Sequence, residues 1–223
     1  GPFSDSHELL CNNDAAQVAK GIGFIDCTLF VNQATGTPYL VWKIDGNAGG
    51  EHTPIMAAEL TADGMALVNG AETDRIELIR NDLSWESICT EGPWIVSRGE
   101  YLYLFYSGNM YDTVHYSVGV ARATSISGPW EKKGDPILTV GDNSSGFSGP
   151  GHCSVIEPIN DAGSNADGDY PSEYAMVYHA HVGYDGSSAR NMLLDTMVFG
   201  NDGWPFMRDG THPTETTEAV PAY

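Results

Sequence analysis

Three polar side chains stand at matching places in short apolar runs. Asp26 lies in Gly23-Phe-Ile-Asp-Cys-Thr-Leu-Phe, Glu91 in Cys89-Thr-Glu-Gly-Pro-Trp-Ile-Val, and His152 in Gly149-Pro-Gly-His-Cys-Ser-Val-Ile. The first two are 65 residues apart and the second two 61, from 91 − 26 and 152 − 91. A carboxylate at the lip of a strand and packed between aromatics is a candidate general acid. Loss of solvent disfavours its charged form and lifts its pKa toward neutrality. A glutamate on an exposed turn is the other reading of Glu91 alone. What favours chemistry is that the same layout recurs on either side of it.

The elements around these anchors repeat as well. Each anchor run is followed by a turn and a strand dense in aromatic and β-branched residues: Thr37-Pro-Tyr-Leu-Val-Trp, Tyr101-Leu-Tyr-Leu-Phe-Tyr-Ser and Glu173-Tyr-Ala-Met-Val-Tyr-His-Ala. Third strands follow at Ile55-Met-Ala-Ala-Glu-Leu, Tyr116-Ser-Val-Gly-Val-Ala and Met192-Leu-Leu-Asp-Thr-Met-Val-Phe, and a fourth segment closes each unit. Units of this size with about four strands predict an all-β fold of propeller blades. The blades are expected at 17–80, 81–140 and 141–210, within a single domain over 1–223. Residues 1–16 are expected to end a further blade, because Gly1-Pro-Phe-Ser-Asp resembles the blade-closing Gly128-Pro-Trp-Glu-Lys. Residues 211–223 lack periodicity and read as a tail. Residues 71–82 read as an outer strand or a connection. Innermost strands line a propeller's channel, so Asp26, Glu91 and His152 are expected to converge on one pocket.

Composition narrows the partners. The 223 residues carry 10 Lys and Arg against 30 Asp and Glu, a formal charge of −20. Nucleic acid and anionic membrane surfaces are excluded as partners on this charge. The Gly/Ser-rich stretch 141–150 reads as a loop beside the pocket. Residues 158–172 hold several Asp and Asn, but without the spacing of a calcium loop they read as a polar hairpin loop.

Taken in order, Ile25-Asp26, Glu91-Gly-Pro-Trp, Tyr103-Leu-Phe-Tyr-Ser, Val118-Gly-Val-Ala, Ser127-Gly-Pro-Trp, Gly149-Pro-Gly-His and Asp202-Gly-Trp-Pro resemble the motifs of glycoside hydrolase family 43. The resemblance spans roughly residues 1–206. It implies a five-bladed β-propeller, of which this chain supplies about three full blades and part of another. It implies hydrolysis, with inversion, of arabinose- or xylose-containing plant polysaccharides or oligosaccharides. The expected activity is exo-acting α-L-arabinofuranosidase or β-xylosidase, in a secreted protein. Carried over by motif, Glu91 matches the general acid and Asp26 the aspartate that orients it. On physical grounds an ionised Asp26 would keep Glu91 protonated. His152 matches the channel histidine near which a calcium ion is held through water. Arg190 matches the arginine that contacts the sugar, and Trp94 is a candidate for stacking on a sugar ring or for packing between blades. No cofactor is required for the chemistry.

The pattern departs from the family in two respects. The family's general base is an aspartate of the first blade, and nothing in this sequence matches it. A separate amino-terminal polypeptide or self-association is therefore expected to complete the propeller. The alternative is a non-catalytic carbohydrate-binding propeller, or an inactive fragment lacking the base. Cysteines form the second departure: Cys27 and Cys153 directly follow Asp26 and His152, and Cys89 precedes Glu91 by two residues. Without zinc-type spacing they read as small buried residues, with a Cys27–Cys153 or Cys27–Cys89 disulfide left open. His179 and His181 alternate on one strand and share a face, which leaves a two-His ligand pair open, while the family's pattern, with Tyr-His in a packed strand, favours structural hydrogen bonding. Trp130 and Trp204 read as blade-packing residues.

Overall fold

A computed structural model describes residues 9–69, 74–141, 145–157 and 173–214 of the chain. They form three four-stranded sheets, each ordered by sequence and antiparallel throughout. The first sheet holds β1 (Gly23–Val31), β2 (Pro38–Asp45), β3 (Ile55–Glu59) and β4 (Ile76–Ile79). The second holds β5 (Thr90–Arg98), β6 (Tyr101–Gly108), β7 (Ser117–Ala123) and β8 (Glu131–Lys132). The third holds β9 (Phe147–Ile156), β10 (Glu173–Val182), β11 (Arg190–Phe199) and β12 (Pro205–Met207). These are three propeller blades, with β1, β5 and β9 packed against one another in turn. Residues 71–73 lie outside the described residues, and the outer strand of the first blade is β4. No helix among the described residues is long and apolar enough to cross a membrane.

The continuous apolar run Tyr101–Tyr106 becomes intelligible from its position. A strand covered on both faces has no polar alternation to keep. Tyr103 and Phe105 join Val96, Val120, Val155, Met176 and Tyr178 in the core between the second and third blades. Leu102, Leu104 and Tyr106 point the other way, meeting Phe30, Val41, Ile55 and Ala57 of the first blade. The middle blade is thus held from both sides, and its inner strand is fixed in position.

Entry into that strand is clamped by Glu86, which is fully buried. Its carboxylate accepts the Tyr106 hydroxyl at 2.7 Å, the Lys132 ammonium at 2.7 Å, and the backbone N–H groups of Asp82 and Leu83 at 2.8 Å each. A buried carboxylate with all its lone pairs met is a firm anchor. Just beyond it, Thr90 donates its backbone N–H to the Thr53 hydroxyl at 2.6 Å, tying the first blade to the residue that precedes Glu91.

All three inner strands break register at the same place. Pairing skips from Ile25 to Thr28 in β1, from Glu91 to Trp94 in β5 and from Gly151 to Ser154 in β9. Two residues there bulge opposite one on the second strand, respectively Trp42, Tyr106 and Tyr178, each almost wholly buried. The first bulge residue has a positive φ in each case: Asp26 at 57°, Gly92 at 57° and His152 at 52°. The repeat is therefore Asp26, Gly92, His152, and Glu91 stands one residue before its bulge. This corrects the expected equivalence of Asp26, Glu91 and His152. A bulge turns successive side chains to unlike directions, so Glu91 points elsewhere than Asp26 and His152.

At the amino terminus, residues 1–8 lie outside the described residues. Residues 9–14 form no strand, and Ala15–Ala19 is a short helix, α1, whose first N–H groups are capped by Asp14. Residues 158–172 and the tail from 215 onward are likewise outside, as are 142–144.

Candidate active site

The three bulges converge on one cavity, which brings Asp26 and His152 together as expected but leaves Glu91 outside its lining. Asp26, Cys27, Thr28, Gly92, Pro93, Trp94, His152, Cys153 and Ser154 enclose a cavity of about 100 Å³ at the meeting of the three inner strands. Among the described residues Asp26 is the only carboxylate in that lining. It accepts the Gly92 N–H at 3.1 Å and so fastens the bulge that adjoins Glu91. Gly92 must lack a side chain here: its φ is +57°, and a Cβ would lie 3.2 Å from the His152 ring.

Glu91 is 9% exposed and its carboxylate is gripped from two blades. Lys43 donates to Oε2 at 2.8 Å and the Tyr116 hydroxyl donates to Oε1 at 2.6 Å, with the Cys89 thiol 3.4 Å from Oε2. Burial alone would push the Glu91 carboxyl up. The Lys43 ammonium, with the hydrogen bonds from Lys43, Tyr116 and Cys89, outweighs it and holds the carboxyl below its ordinary value. This overturns the expectation that Asp26 keeps Glu91 protonated: in this structure Glu91 is an ionised carboxylate facing a buried cation.

Lys43 is 1% exposed and also meets Asp45 at 2.9 Å, Cys89 Sγ at 3.3 Å and Asn47 at 3.4 Å. Burial would lower its pKa, but the Glu91 charge, Cys89 and Asp45 carry it well above the usual lysine value. Burial pushes the Cys89 thiol up to about 12, helped by Glu91 and opposed by Lys43, so Cys89 stays a thiol. Cys27, Cys89 and Cys153 are free, so neither disulfide left open by the sequence forms.

A line of rings leads from Glu91 into the third blade. Tyr116 stacks on His179 with centroids 5.8 Å apart, and His179 on His152 at 6.3 Å. Arg190 donates to His179 Nε2 at 3.2 Å and lies over the Tyr111 ring at 5.2 Å. Burial first, then the Arg190 charge, lower the His179 pKa to about 4, so the ring is neutral and accepts from Arg190. His179 thus belongs to the site rather than to the strand's internal bonding. His181 matches the structural expectation: it is buried, with its ring nitrogens 2.8 Å from the carbonyls of Ser188 and Tyr111. Trp94 bridges blades, donating its indole N–H to the Val155 carbonyl at 3.0 Å and packing on the core, with one edge on the central cavity.

Sequence reasoning missed Lys43, Tyr116 and the role of His179. Lys43, Ser107 and His179 are in fact equivalent, each following the buried aromatic opposite a bulge. Ser107 accepts the His152 N–H at 2.7 Å. That repeated aromatic-then-polar pair was the available signal.

Among the described residues no three His, Cys, Asp or Glu side chains gather as a metal site. A hard cation such as calcium takes six to eight oxygens, and beside His152 the cavity offers the single carboxylate of Asp26. Direct ligands among the described residues are thus too few to hold such an ion alone, and one beside His152 would take most of its oxygens from water.

Gly151 is what lets Tyr116 reach Glu91, since a Cβ there would fall 2.0 Å from the tyrosine ring. Gly151→Ala is expected to push Tyr116 off the carboxylate and leave Oε1 without its donor. That loss is worth about 1–3 kcal/mol of stability for a buried group. A thermal melt checks it: an unchanged melting temperature would show that the Tyr116 hydroxyl is not needed there.

A family model described as glycosyl hydrolases family 43 matches residues 1–205. Among solved structures, a thermostable family-43 glycoside hydrolase aligns with a TM-score of 0.69 at 30% identity, covering 90% of this chain and 61% of that one. An endo-1,4-β-xylanase from Bacteroides thetaiotaomicron VPI-5482 aligns at 0.65 and 28% identity, covering 82% and 58%. An α-L-arabinofuranosidase from Lactobacillus brevis shares the fold at 0.62 and 21% identity, covering 90% and 57%. The chain thus spans about three fifths of the length of these structures. No match was found among curated proteins.

Proposed function

The chain belongs to glycosyl hydrolases family 43 and forms three blades of a five-bladed propeller, and from that membership we propose that it carries the acid side of an inverting glycosidase site for arabinose- or xylose-containing saccharides. The observation that carries the reading is Glu91, a carboxylate at the blade junction oriented from two blades and joined by stacked rings to Arg190. Inversion needs one carboxylic acid to protonate the leaving oxygen and one carboxylate to activate water on the other face, about 6.5–9.5 Å apart. In this reading Glu91 takes the first role. Asp26 acts on it through the Gly92 N–H, holding the bulge and hence the carboxylate's aim. The Arg190 guanidinium offers a rigid donor fork to sugar hydroxyls, and neutral His179 steadies it. The base comes from outside the described residues, on a further stretch of the protein or on a companion chain.

Within this reading the finer activity is α-L-arabinofuranosidase or β-xylosidase acting from chain ends, in a protein working outside the cell. The Lys43–Glu91 pair also favours a second reading, because a site that never releases Glu91 from its cation would bind sugar without cutting it. Proton NMR of the full-length protein with arabino- and xylo-oligosaccharides separates the two. The expected result is a released pentose whose first-formed anomer is inverted. Binding with no release over long incubation would put the carbohydrate-binding reading in its place.

A further inference from the structure

A second cavity opens beside the first blade, with a volume of about 340 Å³. That falls within the roughly 300–1,000 Å³ usual for small-molecule sites. Among the described residues its lining holds Lys20, Arg75 and Arg80 against one carboxylate, Glu51. Three of the chain's ten Lys and Arg, net +2 with Glu51, thus gather at one opening of a protein whose formal charge is −20. Two of the cations have partners, Lys20 with Glu51 at 2.8 Å and Arg80 with Glu77 at 2.6 Å. Arg75 is different: among the described residues no carboxylate pairs with it, and its guanidinium lies 6.0 Å above the Phe24 ring. A planar fork held over an aromatic ring, without a counter-ion, is suited to a carboxylate supplied by a ligand.

The cavity and the acid share a wall. Gly46, Glu51, His52 and Pro54 of the β2–β3 connection line the cavity. The same connection begins beside Asp45 and includes Asn47, both of which bond Lys43. Its Thr53 carries the backbone bond to Thr90, next to Glu91. Ile22, Ile44 and Pro54 add an apolar side suited to the face of a sugar ring.

We propose that this cavity is a subsite for a carboxylate-bearing sugar, a uronic acid carried by the same saccharide that reaches Glu91. The proposal rests on the saccharide reading given above. The apolar wall is what favours an acidic sugar over a bare inorganic anion.

Calorimetric titration of the full-length protein with three probes tests it: a xylo-oligosaccharide bearing one glucuronic acid, its unsubstituted parent, and inorganic phosphate. The acidic oligosaccharide is expected to bind about tenfold more tightly than the neutral one, the scale of one charge-assisted hydrogen bond. Arg75→Gln, which keeps the stem over Phe24, should remove that advantage. Arg75→Lys, which keeps the charge and loses the fork, should remove most of it, and added salt should shrink it. Equal affinities, an advantage that survives Arg75→Gln in a normally melting protein, or displacement by phosphate at equal concentration would overturn the proposal. Free D-glucuronate is the separating control. If it binds in an Arg75-dependent way while neither oligosaccharide binds, the acidic-sugar site stands and the xylose-type saccharide reading falls.

Discussion

Glu91→Gln in the full-length protein is expected to lower turnover of unactivated glycosides by about 10²–10⁴-fold, the usual worth of a general acid, while sugar binding changes little. The amide keeps the shape of the carboxylate and sits in the same grip. Its carbonyl can accept from Lys43 where Oε2 does now, at 2.8 Å, and its NH₂ can donate to the Tyr116 oxygen now 2.6 Å from Oε1. What it cannot do is hand a proton to a departing sugar oxygen. A nitrophenyl leaving group needs no such proton, so the same variant should retain much of its rate on an aryl glycoside. The ratio of the two rates is the decisive measurement. A comparable loss on both substrates would make Glu91 a structural residue, and an undiminished rate on natural oligosaccharides would end its assignment as the acid.

The parts of this site that could be read in the sequence are those fixed by local patterning. The aromatic run Tyr101–Tyr106 announced a strand, and three similar units announced three blades. Asp26 and His152 were findable because each opens an apolar inner strand. What escaped was set by pairing between distant segments. The one-residue offset of Glu91 depends on where the β5 bulge falls against Tyr106, which no period in the sequence reveals. Lys43, in Trp-Lys-Ile-Asp, has the pattern of a solvent-facing residue at a strand end. Only the packing of the first blade on the second buries it 48 residues from its partner. The error about the Glu91 proton followed from that omission. With Asp26 as the only charged neighbour in view the carboxyl had to rise, and the missing cation reverses the sign.

Lys43→Met isolates that cation, since methionine has a similar length and no charge. Glu91 would then keep its burial and lose the strongest influence opposing it, so its pKa should move from below the ordinary carboxylate value to above it. The consequences for stability have opposite signs in the two proteins. In the wild type the depressed pKa adds stability that is complete above the unfolded-state value near ~4.3 and fades as pH falls through the folded-state pKa. In the variant the raised pKa means the folded state retains a proton that the unfolded chain releases, so stability declines as pH climbs past the ordinary carboxylate range. The two proteins should therefore differ little near pH 4 and most at pH 7. The gap there should approach the roughly 3–5 kcal/mol typical of a buried charge deprived of its partner, limited by how far Glu91 escapes by taking up a proton. Urea unfolding at the two pH values reads this directly. Turnover should respond in the other direction, because an acid works only while it holds its proton. The alkaline limb of kcat/KM should shift upward in Lys43→Met, even as the folded protein becomes less stable in that range. Parallel stability curves and an unmoved alkaline limb would mean that Lys43 braces the blades without setting the charge of Glu91. A displaced limb would identify Lys43 as the residue that sets the charge of Glu91 in the free protein.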